Sequence, residues 1–166
     1  MHFSPDISIV ILDAMQAEKF SRYEIRKELG RGGMATVYLA HDPLFEREVA
    51  LKLLKRDLLD DAQVRERFER ETKIIAKLEH PAIVPVHDVG KDNDQMFYVM
   101  RYMTGGSLSD RMTATLSLGE SIRIIQRIAG AIDYAHARGV IHSDLKPGNI
   151  MFDDDGNASN SGLGIY

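Results

Sequence analysis

The sequence predicts an α+β fold: a five-stranded antiparallel sheet with one helix, then the start of a mainly helical second part. Three observations carry this. Short strands with alternating apolar residues recur before residue 103, a glycine-rich break after the first of them leads straight into another strand, and helices with capping signals dominate after residue 104. A dinucleotide-binding fold would instead pass from its first strand through the glycines into a helix.

Composition narrows the class. The chain has 166 residues, 44% of them hydrophobic and 28% charged, which is enough for one sizeable core. A net charge of -4, with bases interspersed among acids, argues against nucleic-acid or anionic-membrane partners. A small molecule or a protein is the expected partner. The absence of cysteine excludes disulfides and thiolate metal sites and fits a cytoplasmic location. The apolar run at residues 7–12 is too short to span a bilayer and lacks the flanks of a signal peptide. The sequence divides into an extension at 1–22, a sheet-rich part at 23–103 and a helical part at 104–166.

Strands are expected at residues 23–29, 36–41 and 48–54, the last two separated by the turn Asp42-Pro43. An amphipathic helix spans about residues 62–78, with Val64, Phe68, Ile75 and Leu78 at helical spacing. Glu71 lies on that apolar stripe, and a carboxylate on a buried face needs a cationic partner. Two more strands, 84–89 and 95–102, are joined by a polar turn at 91–94. Thr104-Gly105-Gly106 reads as a hinge. Ser107 with Asp110 caps a short helix, and Ser117 with Glu120 forms a capping box for a longer one, which carries Leu118, Ile122, Ile125, Ala129 and Ile132 on one face and ends at Gly139.

Three motifs carry chemistry. Gly30-Arg31-Gly32-Gly33-Met34-Ala35-Thr36-Val37 fits a G-x-G-x-x-G-x-V loop with Ala35 at the third glycine, a pattern whose backbone N–H groups approach phosphate closely. Alone, it is equally a hairpin without a ligand. Val49-Ala50-Leu51-Lys52 matches V-A-I-K. A solvated lysine is the alternative there, but the strand is apolar on both faces, so the ammonium needs Glu71 on one side and phosphate on the other. The third motif, His142-Ser143-Asp144-Leu145-Lys146-Pro147-Gly148-Asn149, fits H-R-D-L-x-x-x-N with Ser143 in place of arginine.

With these motifs in this order, the chain from Tyr23 to Tyr166 resembles the eukaryotic-type Ser/Thr protein kinases of bacteria. The resemblance implies ATP and magnesium as cofactors and a protein as substrate or partner. It implies that Leu29, Val37 and Ala50 roof the adenine, that Met151 forms its floor with Met100 as gatekeeper, and that the backbone from Arg101 to Met103 bonds its edge. Gly30, Gly32, Gly33 and Lys52 would hold the phosphates, with Glu71 pairing Lys52. Asp144 would accept the substrate hydroxyl's proton, Lys146 would reach the transferred phosphate and favour Ser/Thr substrates, and Asn149 would hold magnesium.

Two departures bear on activity. The D-F-G position reads Gly162-Leu163-Gly164, so one magnesium ligand is lost at Gly162, and the sequence stops at Tyr166 before an activation loop. The return segment 158–161 is poor in β-branched and aromatic residues and specifies a strand weakly. The expectation is a degenerate, truncated homologue, a pseudokinase in effect, that binds ATP with little or no phosphotransfer. An active Ser/Thr kinase in full-length form and a non-catalytic interaction module are the alternatives. His142 and His80 are expected in structural roles, and Asp153 to Asp155 as a solvated turn, since the EF-hand spacing is absent.

Overall fold

The computed structural model describes residues 18–142 and 144–161; residues 7–12, Ser143 and Gly162-Leu163-Gly164 lie outside them. An antiparallel sheet is built from β1 (Lys19–Phe20), β2 (Tyr23–Arg31), β3 (Ala35–Asp42), β4 (Arg47–Leu54), β5 (Val86–Asp92) and β6 (Gln95–Arg101), in the order β1-β2-β3-β4-β6-β5. It therefore has six strands where the sequence predicts five. The added strand is two residues long, too short for any periodicity to reveal. It forms because Ser21, at φ 53°, turns the chain so that Phe20 pairs with Tyr23 and meets Phe97 edge-on at 5.4 Å.

Strand alternation sorts β4 onto two cores. Val49, Leu51 and Leu53 join Phe20, Tyr23, Phe97 and Val99 on one face. Ala50 and Leu54 face the other way, with Phe68, Val84, Tyr98, Met100 and Met103. Lys52 falls between Ala50 and Leu54 on this second face, which is the face the first helix covers.

That helix, α1 (Ala62–Ile75), begins at Asp61, whose carboxylate accepts from the N–H groups of Gln63 at 2.9 Å and Val64 at 3.2 Å. It buries Phe68, Glu71, Thr72 and Ile75. It ends three residues short of the predicted boundary, because Lys77 and Leu78 donate to carbonyls three residues back and tighten the chain into a turn before His80. His80 Nδ1 accepts from Ala82 N–H at 3.1 Å, the turn role expected of it.

Past the hinge, α2 (Leu108–Arg111) and α3 (Leu118–His136) both start in full capping boxes, on Ser107/Asp110 and Ser117/Glu120. The buried face of α3 is Ile128, Ala131 and Ala135, whereas Leu118, Ile122 and Ile125, which the sequence groups on the apolar face, are exposed at 78%, 45% and 66%. A 3₁₀ turn (Pro147–Asn149) leads into the hairpin of β7 (Ile150–Phe152) and β8 (Ala158–Asn160). Its turn is held by Asp153, which accepts from the N–H groups of Asp155 and Asn157, with Gly156 at φ 79°.

The weakly specified segment 158–161 thus does form a strand over Ala158–Asn160, and all three of its residues are buried. Tertiary partners supply what its side chains lack. Val84 N–H donates to the Asn160 carbonyl, Asn160 N–H donates to the Ala82 carbonyl, and Arg127 Nε donates to the Ala158 carbonyl at 2.6 Å.

At the hinge, Gly105 N–H donates to the Phe152 carbonyl at 2.8 Å and Phe152 N–H donates to the Gly106 carbonyl at 2.9 Å. A Cβ on Gly105 would lie 2.7 Å from the Asp153 carbonyl oxygen and 2.8 Å from Phe152 Cβ. Since the Asp153 oxygen and the Phe152 carbonyl oxygen, at 2.9 Å, are backbone and cannot swing aside, Gly105→Ala is expected to cost about 2 kcal/mol and lower the unfolding midpoint by about 4–8 °C, measured by calorimetry.

Candidate functional site

Between the sheet and the second part lies a cleft of about 490 Å³. Leu29, Val37 and Ala50 line one side, Met100 and Met103 the back, and Met151 and Asn149 the opposite wall, so every residue expected to enclose the adenine meets in one slot. Antiparallel registers bring them together: Val37 pairs with Gly30 on β2 and with Lys52 on β4, and Ala50 pairs with Met100 on β6. Val84, Ser107, Asp110 and Ser161 also line the cleft and were not anticipated. Ser107 and Asp110 are legible in the sequence only as a helix cap, and that role holds. Asp110 accepts from Ser107 Oγ at 2.7 Å and from its N–H at 2.8 Å, bonds that hold the carboxyl below its ordinary range.

Gly30 and Gly33 have open space where a Cβ would be, and Gly30 lines the cleft. Gly32 N–H donates to the Ala35 carbonyl at 2.8 Å and closes the turn. Met34 packs against the core beside Val37.

Lys52 is partly buried, on the cleft face two residues beyond Ala50. Its ammonium lies over the Tyr98 ring, 5.3 Å from the centroid. Burial acts to lower its pKa, but Tyr98, then Glu71 and Asp144, more than offset this and hold it above the ordinary lysine value. Glu71 is buried, as the helix stripe requires, and it forms an ion pair with Arg67 Nε at 3.2 Å. Its charge also acts on Lys52, the partner the sequence assigns it, and raises that lysine's pKa. Arg67 lies one turn earlier on the same helix, at a spacing that favours such a pair.

The loop residues gather into a second group. Lys146 Nζ lies 2.7 Å from Asp144 Oδ2, and Asn149 Nδ2 donates to the same oxygen at 3.0 Å and to the Asp144 carbonyl at 2.7 Å. Asp144 N–H donates to His142 Nδ1 at 3.1 Å, so His142 ties down the loop backbone. Lys146, with a smaller contribution from Asn149, holds the Asp144 carboxyl below its usual range. Asp144 is therefore an ionised acceptor at neutral pH. The donor set fits a nucleotide: an apolar slot for a flat base, glycine backbone, a cationic lysine and a carboxylate with its own cation. It fits magnesium through the Asn149 amide oxygen, whose nitrogen is turned to Asp144.

Among the described residues no helix is long and apolar enough to cross a membrane. Residues 23–164 match the protein kinase domain family. The chain is 40% identical over 146 residues to the serine/threonine-protein kinase PrkC of Bacillus subtilis, covering 87% of this chain and 22% of that protein. It is 42% identical over 133 residues to PknJ of Mycobacterium tuberculosis, covering 80% and 23%. The crystal structure of the M. tuberculosis PknI kinase domain superposes with a TM-score of 0.74 at 36% identity, covering 91% of this chain and 63% of that one. The chain thus spans less than a quarter of these curated relatives and under two thirds of the crystallised domain.

Because Lys146 depresses Asp144, its removal should release the carboxyl. A folded-state pKa below the unfolded value stabilises above the unfolded pKa and is lost as pH falls through the folded one, so Lys146→Met should shift the Asp144 titration upward, toward its ordinary range. Carboxyl carbon NMR reads this directly.

Proposed function

The chain belongs to the protein kinase family, and from that premise we propose that it binds ATP in the 490 Å³ cleft and that its activity is transfer of the terminal phosphoryl group to a Ser or Thr hydroxyl of a protein. The observation that carries this is the single slot enclosed by Leu29, Val37, Ala50, Met100, Met103 and Met151, with Lys52 on the same face and Asn149 at its edge joined to Asp144. Residues 23–103 act as the nucleotide-binding lobe and residues 104–166 as the catalytic part, on the cytoplasmic side where ATP is available.

The roles follow from charge and position. The backbone from Arg101 to Met103 bonds the base edge, and the glycine loop with Lys52 holds the phosphates. Glu71 adds a negative field that keeps Lys52 cationic. Asp144, ionised and acceptor-only, takes the proton of an incoming hydroxyl. Lys146 lies 2.7 Å from it, placed to stabilise negative charge on the transferred group. Magnesium, when bound, neutralises phosphate charge, and Asn149 is the side chain placed to hold it.

A second reading concerns strength of catalysis. Glycine at 162, in register with the D-F-G aspartate, provides no carboxylate for the metal, and this favours an ATP-binding protein with impaired phosphotransfer.

Thermal unfolding separates these readings. Saturating ATP should raise the midpoint by about 5–10 °C, and Lys52→Ala should abolish most of the rise. No shift in a cooperatively folding sample sinks the nucleotide reading and favours an interaction module. If Gly162 is the defect in metal binding, Gly162→Asp should enlarge the magnesium-dependent part of the ATP shift. An unchanged magnesium dependence would remove that explanation.

A further inference from the structure

On the far side of β7 from the nucleotide slot there is a second cleft, of about 290 Å³, between α2, α3 and the β7–β8 turn. Strand alternation separates the two: Met151 faces the nucleotide slot and Phe152 the second cleft. The helix does the same, with Asp110 on the slot and Arg111 on the far cleft.

The second cleft is basic in a protein of net charge -4. Arg111, Arg123 and Arg127 line it, and none of the three forms an ion pair among the described residues. Glu120, the one acid of the lining, has its carboxylate turned back into the Ser117 cap, accepting from Ser117 Oγ at 2.7 Å and from its N–H at 3.1 Å. Two of the guanidinium groups are pinned in place. Arg111 stacks on the Phe152 ring at 3.6 Å, and Arg127 donates to the Pro81 carbonyl at 2.7 Å as well as to Ala158. Arg123, one turn before Arg127 on α3, is exposed. Between these charges Leu116 and Ile124 present half-buried apolar surface, while Phe152 is buried beneath Arg111.

We propose that this cleft is a docking site for an acidic peptide segment of a protein partner, in which carboxylates meet the three arginines and an apolar side chain packs on Leu116 and Ile124. Fixed cations on separate walls with apolar surface between them match carboxylates spaced around a hydrophobic residue better than one compact anion. Pre-pinned guanidinium groups lose little freedom on pairing, and they form bidentate bonds with carboxylates. The site is independent of the nucleotide reading, because it is lined by other side chains and is tested without ATP.

Binding of a fluorescein-labelled peptide of alternating Glu and Leu to the full chain, without nucleotide, is followed by anisotropy. Saturable binding is expected, weakening as salt rises from about 50 to about 200 mM. Arg123→Gln should weaken it about tenfold, as for loss of one charge-assisted contact, and Arg123→Lys should recover most of it. Both variants should keep the unfolding midpoint and cooperativity of the unmodified chain without nucleotide, which shows that they are folded. The proposal is overturned by equal binding of the peptide with Lys in place of Glu, by no loss in Arg123→Gln, by absence of saturable binding, or by inorganic phosphate displacing the probe as effectively as unlabelled peptide.

Discussion

The geometry of the site depends on a strip of main-chain hydrogen bonds that runs from the sheet into the second part. Gly105 and Gly106 exchange bonds with Phe152, while Ala82 and Val84 do so with Asn160. Through these, the β7–β8 hairpin is fixed against both the hinge and the segment before β5. Met151 forms the wall of the slot because its neighbour Phe152 and the facing strand are held in this way. The strip needs a residue without a side chain at 105, where the hinge and β7 approach too closely for a Cβ.

A second constraint is the double burial of β4. One face of the strand must fill the core against Phe20 and Phe97, so the alternate residues Ala50, Lys52 and Leu54 are committed to the face covered by α1. Placing a lysine there would cost heavily without compensation. The surroundings supply it: the Tyr98 ring, and the fields of Glu71 and Asp144, keep the ammonium charged. Glu71 meanwhile has Arg67 as a direct partner. Lys52 is thus a cation held ready beside the slot, with its electrostatic balance spread over three elements of the chain.

The loop after α3 applies the same economy to a carboxylate. Asp144 is exposed, yet Lys146 and Asn149 define its position and His142 fixes its backbone. The hairpin that follows serves two clefts at once. Its strand alternation gives Met151 to one and Phe152 to the other, so a ligand on either side bears on the same three residues.

Local signals suffice for the fold class, the family and the motif-borne part of the slot's lining: alternation in strands, glycine at a turn, and motif residues at fixed spacing. Leu29, Val37, Ala50, Met100, Met103 and Met151 are legible in the amino-acid order through the motifs they flank. Packing settles what depends on partners distant in the chain. It adds the two-residue β1, closed by Phe20 on Phe97. It makes a strand of Ala158–Asn160 through bonds to Ala82, Val84 and Arg127, although its side chains have little strand preference. It gives Glu71 a direct partner in Arg67, where the helical stripe shows only that a buried acid needs a cation. It also brings three arginines from two helices around one cleft. No spacing along the sequence encodes that arrangement, because it arises from how the helices pack and not from either helix alone.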